Sequence, residues 1–241
     1  MTKIRKIFFW CFLSLAVVAG AGKASAQTEA TVYAPGETLT YAIKKFGIKA
    51  GTATLVYHGL VEVNGTPYIQ IVFTADGFNF FDEEKIFADP QTLLPLRVER
   101  GLNIFGKKEQ IVEVYDPDRG TVSIKKYKGG KLVDETAFEQ DRPIDNLYCF
   151  LYRYRMSGQF EPGQTFRMFL PTKDVEFEII DKESVKFYQG ADEAWYMQSR
   201  PAEYRIWFGT RQDKLPLRID GAVGMARTAM ILTDHRSGKM D

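Results

Sequence analysis

The sequence has few of the residues on which covalent cross-links and acid–base catalysis most often depend. Its 241 residues include two cysteines and two histidines. His58 lies in a strand-like run and His235 near the polar C-terminal end, and the chain contains no G-x-S-x-G, H-E-x-x-H or paired-cysteine pattern. A hydrolytic triad needs a nucleophile, a base and an orienting group within reach of one another. The sequence therefore predicts no catalytic residue, no metal site and no cofactor, and it favours a protein that is not an enzyme.

The N-terminal segment predicts export. Three basic residues among the first six precede an apolar run over residues 7–22, and the small residues Ala24-Ser25-Ala26 follow it. These are the three parts of a secretory signal peptide. The run is shorter than the roughly 20 residues of a membrane-spanning helix. We expect cleavage after Ala26, a periplasmic or other extracytoplasmic location, and a mature chain over 27–241 with no transmembrane segment and no internal disulfide.

Charge gives no sign of a nucleic-acid partner. Cleavage removes four basic residues and no acidic ones, which leaves the mature chain mildly acidic. The lysines of residues 125–131 are interrupted by Gly129-Gly130 and indicate a hairpin turn. Because the chain has no long basic run, we expect neither nucleic-acid binding nor an electrostatic attraction to an anionic membrane surface.

Alternation of apolar and polar residues dominates the mature chain. Residues 68–73 and 174–179 each place apolar side chains on one face of an extended segment. Turn pairs such as Asn64-Gly65 and Gly129-Gly130 separate these runs. The pattern predicts a mainly β fold in a single domain over 27–241. We expect an antiparallel, open or broken β-barrel of roughly a dozen strands.

One central segment breaks the alternation. Residues 144–156 follow Pro143, end at Ser157-Gly158, and carry bulky apolar residues on every side except at Arg153 and Arg155. The segment predicts a single buried helix that fills or covers the barrel. A buried strand is the alternative, because periodicity does not separate the two in a short segment.

Two short motifs recur in the same order. Pro35-Gly36 is echoed by Pro162-Gly163, and LPLR at residues 94–97 returns at 215–218. A duplicated β unit would leave the motifs at a similar separation in both halves. The alternative is that Pro-Gly turns and Leu-Pro strand starts are common in proteins and occur in the same order here by chance. On the first interpretation, two related halves, residues 31–140 and 157–233, are joined by the helix.

Each LPLR motif predicts the return strand of a hairpin. Side chains alternate between the faces of a strand, so we expect Leu96 and Leu217 to face the sheet core, and Pro95 and Pro216 to face the other side. Proline cannot donate to a strand ladder, so Pro95 and Pro216 are expected at strand starts or on free edges. The Arg and the acid two residues later, Arg97 with Glu99 and Arg218 with Asp220, are expected to form surface pairs.

Several of these motifs also resemble those of a known family. They are Pro35-Gly36-Glu37 with Leu39 and Tyr41, Phe46-Gly47-Ile48 with Ala50-Gly51, the helical segment, Ile206-Trp207, and Leu215-Pro216-Leu217-Arg218. Together they resemble the exported bacterial domain of unknown function 3108. The resemblance implies an exported β-rich protein whose plan is similar to the half-open barrels of periplasmic lipoprotein carriers. It implies no catalytic residue, and fold alone does not fix function.

An aromatic loop is the first candidate for a binding site. Phe78, Phe80 and Phe81 follow the turn residue Gly77. At a barrel rim these side chains could guard an apolar cavity; packing into the core is the alternative, since Phe is usually buried. The full set of residues expected to line the cavity is Phe78, Phe80, Phe81, Leu147, Leu151 and Trp207.

Two acidic groups and one cysteine are further candidates for functional residues. Residues 82–84 and the alternating acids of 174–178 could bind calcium, but no compact loop supplies the remaining oxygen ligands. We expect both groups to be solvated. Cys149, in the apolar helix, is expected to be a small core residue.

The sequence favours an exported cell-envelope protein that holds an apolar ligand, lipid or acyl chain in an open β-barrel. Export, the antiparallel β pattern and a helix apolar nearly all round motivate this hypothesis. An assembly module that offers a strand edge to an envelope protein is the alternative. An enzyme acting on glycan or peptide is the third.

Overall fold

The structure is a computed structural model that describes residues 32–222 and 228–239. The predicted signal peptide, residues 1–26, and its cleavage site lie outside the described residues. The described residues belong to one compact unit.

Within the described residues, a single antiparallel sheet of fourteen strands carries one helix. The strands are β1 (Glu37–Lys45), β2 (Ile48–Val63), β3 (Thr66–Gly77), β4 (Phe80–Ala88), β5 (Pro95–Ile104), β6 (Lys107–Asp116), β7 (Thr121–Lys128), β8 (Lys131–Glu139), β9 (Thr165–Leu170), β10 (Lys173–Phe187), β11 (Gly190–Arg200), β12 (Arg205–Gly209), β13 (Pro216–Asp220) and β14 (Thr228–Arg236). The helix α1 spans Leu147–Met156.

The sheet consists of two meanders joined at β1 and β14. Its order is β8-β7-β6-β5-β4-β3-β2-β1-β14-β13-β12-β11-β10-β9. The helix connects the two edge strands, β8 and β9, and the sheet is not closed. The predicted mainly β, open antiparallel barrel with one central helix is therefore confirmed.

Alternation creates the core. In β3, Ile69, Ile71, Phe73 and Ala75 are buried while the residues between them are more exposed. Phe73 stacks on Tyr148 of α1, with ring centroids 4.4 Å apart. The helix packs against the inward faces of the strands, as its apolar residues predict.

The helix begins later than the sequence predicts. Asn146 is its N-cap, and the side-chain oxygen of Asn146 accepts a hydrogen bond from the backbone N–H of Tyr148 at 2.8 Å. Ile144, the predicted first residue, lies outside the helix and is buried.

Cys149 is a buried free cysteine, as expected. Arg155, which was expected to project outward, is 1 % exposed and therefore contradicts the sequence interpretation.

The two Pro-Gly turns have equivalent backbone geometry. Gly36 and Gly163 have φ values of 85° and 82°. The N–H of Gly36 donates to the carbonyl of Tyr57, and that of Gly163 to the carbonyl of Ile179, both at 2.7 Å. Each turn therefore joins the start of one strand to the strand that follows it in the chain. The duplication of the two halves stays a prediction.

The two LPLR hairpins share a β-bulge. In the first hairpin Phe87 pairs with Arg97 and Ala88 with Pro95, which leaves Leu96 unpaired. The second hairpin leaves Leu217 unpaired in the same way. The residues that precede the motifs, Leu93 and Lys214, both have positive φ, 54° and 41°.

The bulge changes the predicted faces. Leu217 is buried, but Leu96 is only half-buried, and Pro95 and Pro216 are both buried. The expectation that the prolines would face away from the core is wrong, because a bulge interrupts strict alternation. Both prolines do begin strands, but neither marks an edge, since β5 and β13 are paired on both sides.

The paired charges of the two motifs differ in exposure. Arg97 and Glu99 form the expected surface pair, at 2.8 Å. Asp220, in contrast, is buried, accepts from Arg218 at 2.8 Å, and also contacts Arg205 at 2.7 Å. The second pair is therefore not the exposed pair that the sequence predicts.

Candidate functional site

A buried ion pair lies at the C-terminal end of α1. The guanidinium of Arg155 donates two hydrogen bonds to the carboxylate of Glu37, at 2.6 and 2.9 Å, and a third to the carbonyl of Asp213 at 3.1 Å. The side chains of Arg155 and Glu37 are 1 % and 3 % exposed. His235 Nε2 lies 3.2 Å from Glu37 Oε1. These bonds tie the helix to the first strand, the last strand and the loop before β13.

The ion pair determines the protonation of Glu37. Burial alone would raise the pKa of Glu37, but the hydrogen bonds from Arg155 and His235 outweigh it and hold the pKa below its ordinary value. The rings of Tyr33 and Tyr152 flank the Arg155 guanidinium, with centroids 5.1 and 5.4 Å away. Within the described part of the chain, the buried Tyr152 hydroxyl has no hydrogen-bond partner.

A cleft opens beside this end of the helix. Its volume is about 510 Å³, within the range of roughly 300–1,000 Å³ that is usual for small-molecule sites. The lining residues are Val32, Arg155, Met156, Ser157, Gly158, Gln159, Phe160, Lys182, Trp195, Thr210, Arg211, Gln212 and Lys214. They include four cations and several apolar side chains, and no acid is found among those that the structure describes.

The cations and the aromatic rings of the cleft are interleaved. The Lys182 amine lies 4.7 Å from the centroid of Trp195, and the Lys214 amine lies 4.8 Å from that of Phe160. Lys182 and Arg211 also each contact a carboxylate at 3.1 Å, of Glu193 and Asp192 respectively.

Lys214 is held differently from the other cations. Its amine donates to the carbonyls of Ser157 and Gly158, just beyond the helix C-terminus. Burial lowers the pKa of Lys214. Lys214 therefore complements the negative end of the helix dipole and places a positive charge at the cleft wall.

A second buried charge cluster lies at the N-terminal end of α1. Arg100 donates to both carboxylate oxygens of Asp82, at 2.8 and 2.6 Å, and its Nε lies 3.3 Å from Glu84. The hydroxyl of Tyr115 donates to Glu113 nearby. One guanidinium thus serves a group of three carboxyls, which makes the cluster acidic.

Burial, and for Glu84 also the neighbouring carboxylates, raise pKa values in this cluster. Burial, and then the charges of Asp82 and Glu113, raise the pKa of Glu84 to about 7, against the opposing effect of Arg100. Burial also raises the pKa of Glu113. The expectation that residues 82–84 are solvated is wrong for Asp82 and Glu84, because alternation along β4 turns these two inward and Glu83 outward. The described residues contain no group of acids, histidines and cysteines suited to hold a metal ion.

The structure divides the six residues predicted to line an apolar cavity. Phe80, Leu147, Leu151 and Trp207 belong to the hydrophobic core or pack against it. Phe78 and Phe81 are 90 % and 39 % exposed. Trp207 lies on the opposite face of β12 from Ile206, stacks on Tyr196 at 4.9 Å and donates to Glu183 at 2.9 Å. None of the six is among the residues that line the 510 Å³ cleft.

Sequence reasoning missed the cations that surround this cleft. Arg155 carried a visible signal, since it is a charge within an otherwise apolar helix. Lys182, Arg211 and Lys214 carried none, because strand β10 and the loop before β13 approach α1 only in the folded chain.

One family model and several solved structures are similar to the chain. The profile of the family described as "Protein of unknown function (DUF3108)" matches residues 38–231. No curated protein matches the chain. Among solved structures, a β-barrel-like protein of the domain of unknown function DUF1849 from Brucella abortus is 12 % identical, with a TM-score of 0.47, and the alignment covers 86 % of this chain and 99 % of that one.

Two further solved structures are similar over comparable lengths. A protein from Bacteroides fragilis, described as exported and with a YmcC-like fold, is 10 % identical with a TM-score of 0.30, covering 85 % of this chain and 97 % of that one. A protein from Parabacteroides distasonis, described as a lipoprotein, is 7 % identical with a TM-score of 0.28, covering 86 % and 98 %. Within the described ranges, the protein has no helix with the length and apolar character needed to cross a membrane.

Proposed function

We propose that this chain, which belongs to the DUF3108 family of proteins of unknown function, is an exported cell-envelope protein that binds an anionic amphiphile, such as a fatty acid or the acyl chain of an acidic lipid. The observation that carries the proposal is the cleft at the C-terminal end of α1. Its wall combines apolar side chains with four cations. Export is supported by the signal peptide that the sequence predicts.

The chemistry of the cleft favours a ligand with two parts. Phe160, Met156 and Trp195 offer apolar surface for a hydrocarbon chain. Lys182 and Arg211 stand at the same wall, with side chains 39 % and 63 % exposed, and each could exchange its surface carboxylate partner for a carboxylate or phosphate of the ligand. A purely apolar ligand would leave these cations without a role in binding.

The buried charges hold the cleft in shape. Arg155 is fixed by Glu37 and by the carbonyl of Asp213, and Lys214 is fixed by the carbonyls after the helix. The helix end and the loop before β13 are therefore locked together before a ligand arrives. A pre-formed site loses less conformational entropy on binding.

A fluorescent long-chain fatty acid tests the proposal. The chain lacking residues 1–26 is expected to bind it, and Lys182→Met is expected to weaken binding about 3- to 10-fold, since a partly exposed charge contributes modestly. Lys186→Met is the matched control, because Lys186 lies on the same strand but does not line the cleft. Failure of the unmodified chain to bind, or equal losses in the two variants, would contradict the proposal.

A further inference from the structure

Exposed phenylalanines occupy the tips of hairpins at one end of the sheet. In the β1–β2 turn, Phe46 and Gly47 have positive φ values of 51° and 82°. In the β5–β6 turn, Phe105 and Gly106 have nearly the same values, 50° and 81°. Phe46 and Phe105 are 74 % and 75 % exposed. A bulky residue in the left-handed region is conformationally unfavourable, and these two gain little burial in return.

The opposite end of the sheet provides an internal comparison. The β2–β3 turn has nearly the same geometry, with φ of 53° at Asn64 and 79° at Gly65. Asn-Gly is the pair that this type of turn prefers. The chain therefore uses the favourable residue in the β2–β3 turn and phenylalanine in the β1–β2 and β5–β6 turns, which points to a role for these two aromatic side chains outside the folded chain itself.

A third tip extends the same surface. Phe78, in the β3–β4 turn, is 90 % exposed, and the backbone N–H of Phe105 donates to the carbonyl of Asn79 at 2.8 Å. Strands β1 to β6 are consecutive neighbours, so the three turns lie side by side. Ile48 and Ile104, which are 74 % and 44 % exposed, lie next to the tips. We call Phe46, Phe78, Phe105, Ile48 and Ile104 the aromatic rim.

Lysines surround the aromatic rim. They are Lys44, Lys45, Lys49, Lys107 and Lys108, from the same two hairpins that carry Phe46 and Phe105. None of the five forms an ion pair with a residue that the structure describes. Among strands β1 to β6, the solvent-accessible acids nearest the tips are the exposed Asp76 and the half-buried Glu109, and Glu109 contacts Lys126 and Lys128, at 3.7 and 2.9 Å. The positive charge of the five lysines therefore exceeds the negative charge beside them.

We propose that the aromatic rim inserts into the interface of an anionic phospholipid bilayer while the lysines contact its headgroups. Separate aromatic side chains on projecting turns suit a fluid apolar layer, which can fill the space between them. Their lysine border complements anionic lipid headgroups. The surface is independent of the proposed ligand cleft, because the β12–β13 connection at the cleft and the β1–β2 turn lie at opposite ends of the strands.

Vesicle co-sedimentation tests this inference. The chain lacking residues 1–26 is expected to bind vesicles of equal parts phosphatidylcholine and phosphatidylglycerol, and to bind phosphatidylcholine alone more weakly. The double variant Phe46→Asn/Phe105→Asn is expected to lose roughly tenfold or more in vesicle affinity while melting at a temperature no lower than the unmodified chain, since Asn suits both turns.

A matched pair of substitutions controls for loss of exposed apolar surface. Leu60→Asn/Val114→Asn replaces two side chains that are 66 % and 48 % exposed but lie away from the rim, and is expected to leave vesicle binding unchanged. No binding by the unmodified chain, or equal losses in the two double variants, would overturn the inference. Lys182→Met should bind vesicles normally and the phenylalanine variant should bind fatty acid normally, so failure of one proposal is distinguishable from failure of the other.

Discussion

The two buried charge clusters, one at each end of α1, differ in their balance of charge. At the C-terminal end one guanidinium, that of Arg155, meets one carboxylate, that of Glu37. At the N-terminal end Arg100 serves the acidic cluster of Asp82, Glu84 and Glu113. The acidic cluster has the sign that the N-terminal end of the helix dipole favours, whereas the ion pair at the C-terminal end is electrically balanced. The difference teaches that burial raises the pKa of both carboxyls, and that the neighbouring charges and hydrogen bonds decide whether the final pKa lies above or below its ordinary value.

The two clusters should respond to pH in opposite directions. Because the pKa of Glu37 is lowered by folding, its contribution to stability is present above its unfolded pKa and is lost as the pH falls through the folded value. Because the pKa of Glu84 is raised to about 7, the folded chain keeps a proton that the unfolded chain releases. Stability from this group therefore falls as the pH rises from about 4.5 to 7.

Removing the cation of the balanced cluster is expected to have the largest effect. Arg155→Met leaves Glu37 buried without its partner and should lower the free energy of unfolding by about 3–5 kcal/mol. Chemical denaturation at pH 7 measures this. Arg167→Met is the control, because Arg167 pairs with Glu176 at the surface and should cost less than about 1 kcal/mol. Similar losses in the two variants would remove the distinction between a buried and a surface pair.

Neutralising the acidic cluster is expected to have a smaller, pH-dependent effect. In the unmodified chain, Glu84 should lower the free energy of unfolding by up to about 3 kcal/mol as the pH rises from 5 to 8, and Glu84→Gln should abolish this decrease. The same denaturation experiment at several pH values measures the slope. Glu83→Gln, on the outward face of the same strand, should leave the slope unchanged. If Glu84→Gln leaves the pH dependence as it was, Glu84 does not carry the raised pKa.

Local patterns predicted much of the fold. Period-two alternation predicted strands such as β3, and the apolar segment around Cys149 predicted the buried helix. The sequence predicts its start two residues before Asn146, because the Pro143 entry resembles a helix N-terminus and the side-chain cap of Asn146 forms only in the folded chain. The bulges at Leu96 and Leu217 were also missed, since they depend on pairing with the preceding strand.

Charges brought together by folding were beyond reach of local patterns. Arg155 and Glu37 are 118 residues apart in the sequence. The acids of β4 resembled a solvated group because their inward partner, Arg100, lies on the next strand. The lysines around the aromatic rim come from two separate hairpins, so the sequence contains no continuous basic run that would predict a positively charged surface there. Tertiary pairing, which a linear pattern does not specify, decides these three features.

The position of a bound acyl chain tests the central claim, that the cleft takes an anionic amphiphile. A fatty acid brominated along its chain quenches a tryptophan that it contacts, and residues 27–241 contain two tryptophans, Trp195 in the cleft and Trp207, which does not line it. We expect quenching in the unmodified mature chain and in Trp207→Phe, which keeps Trp195, and none in Trp195→Phe. Quenching that persists in Trp195→Phe, or that is absent from all three folded proteins, would contradict the claim.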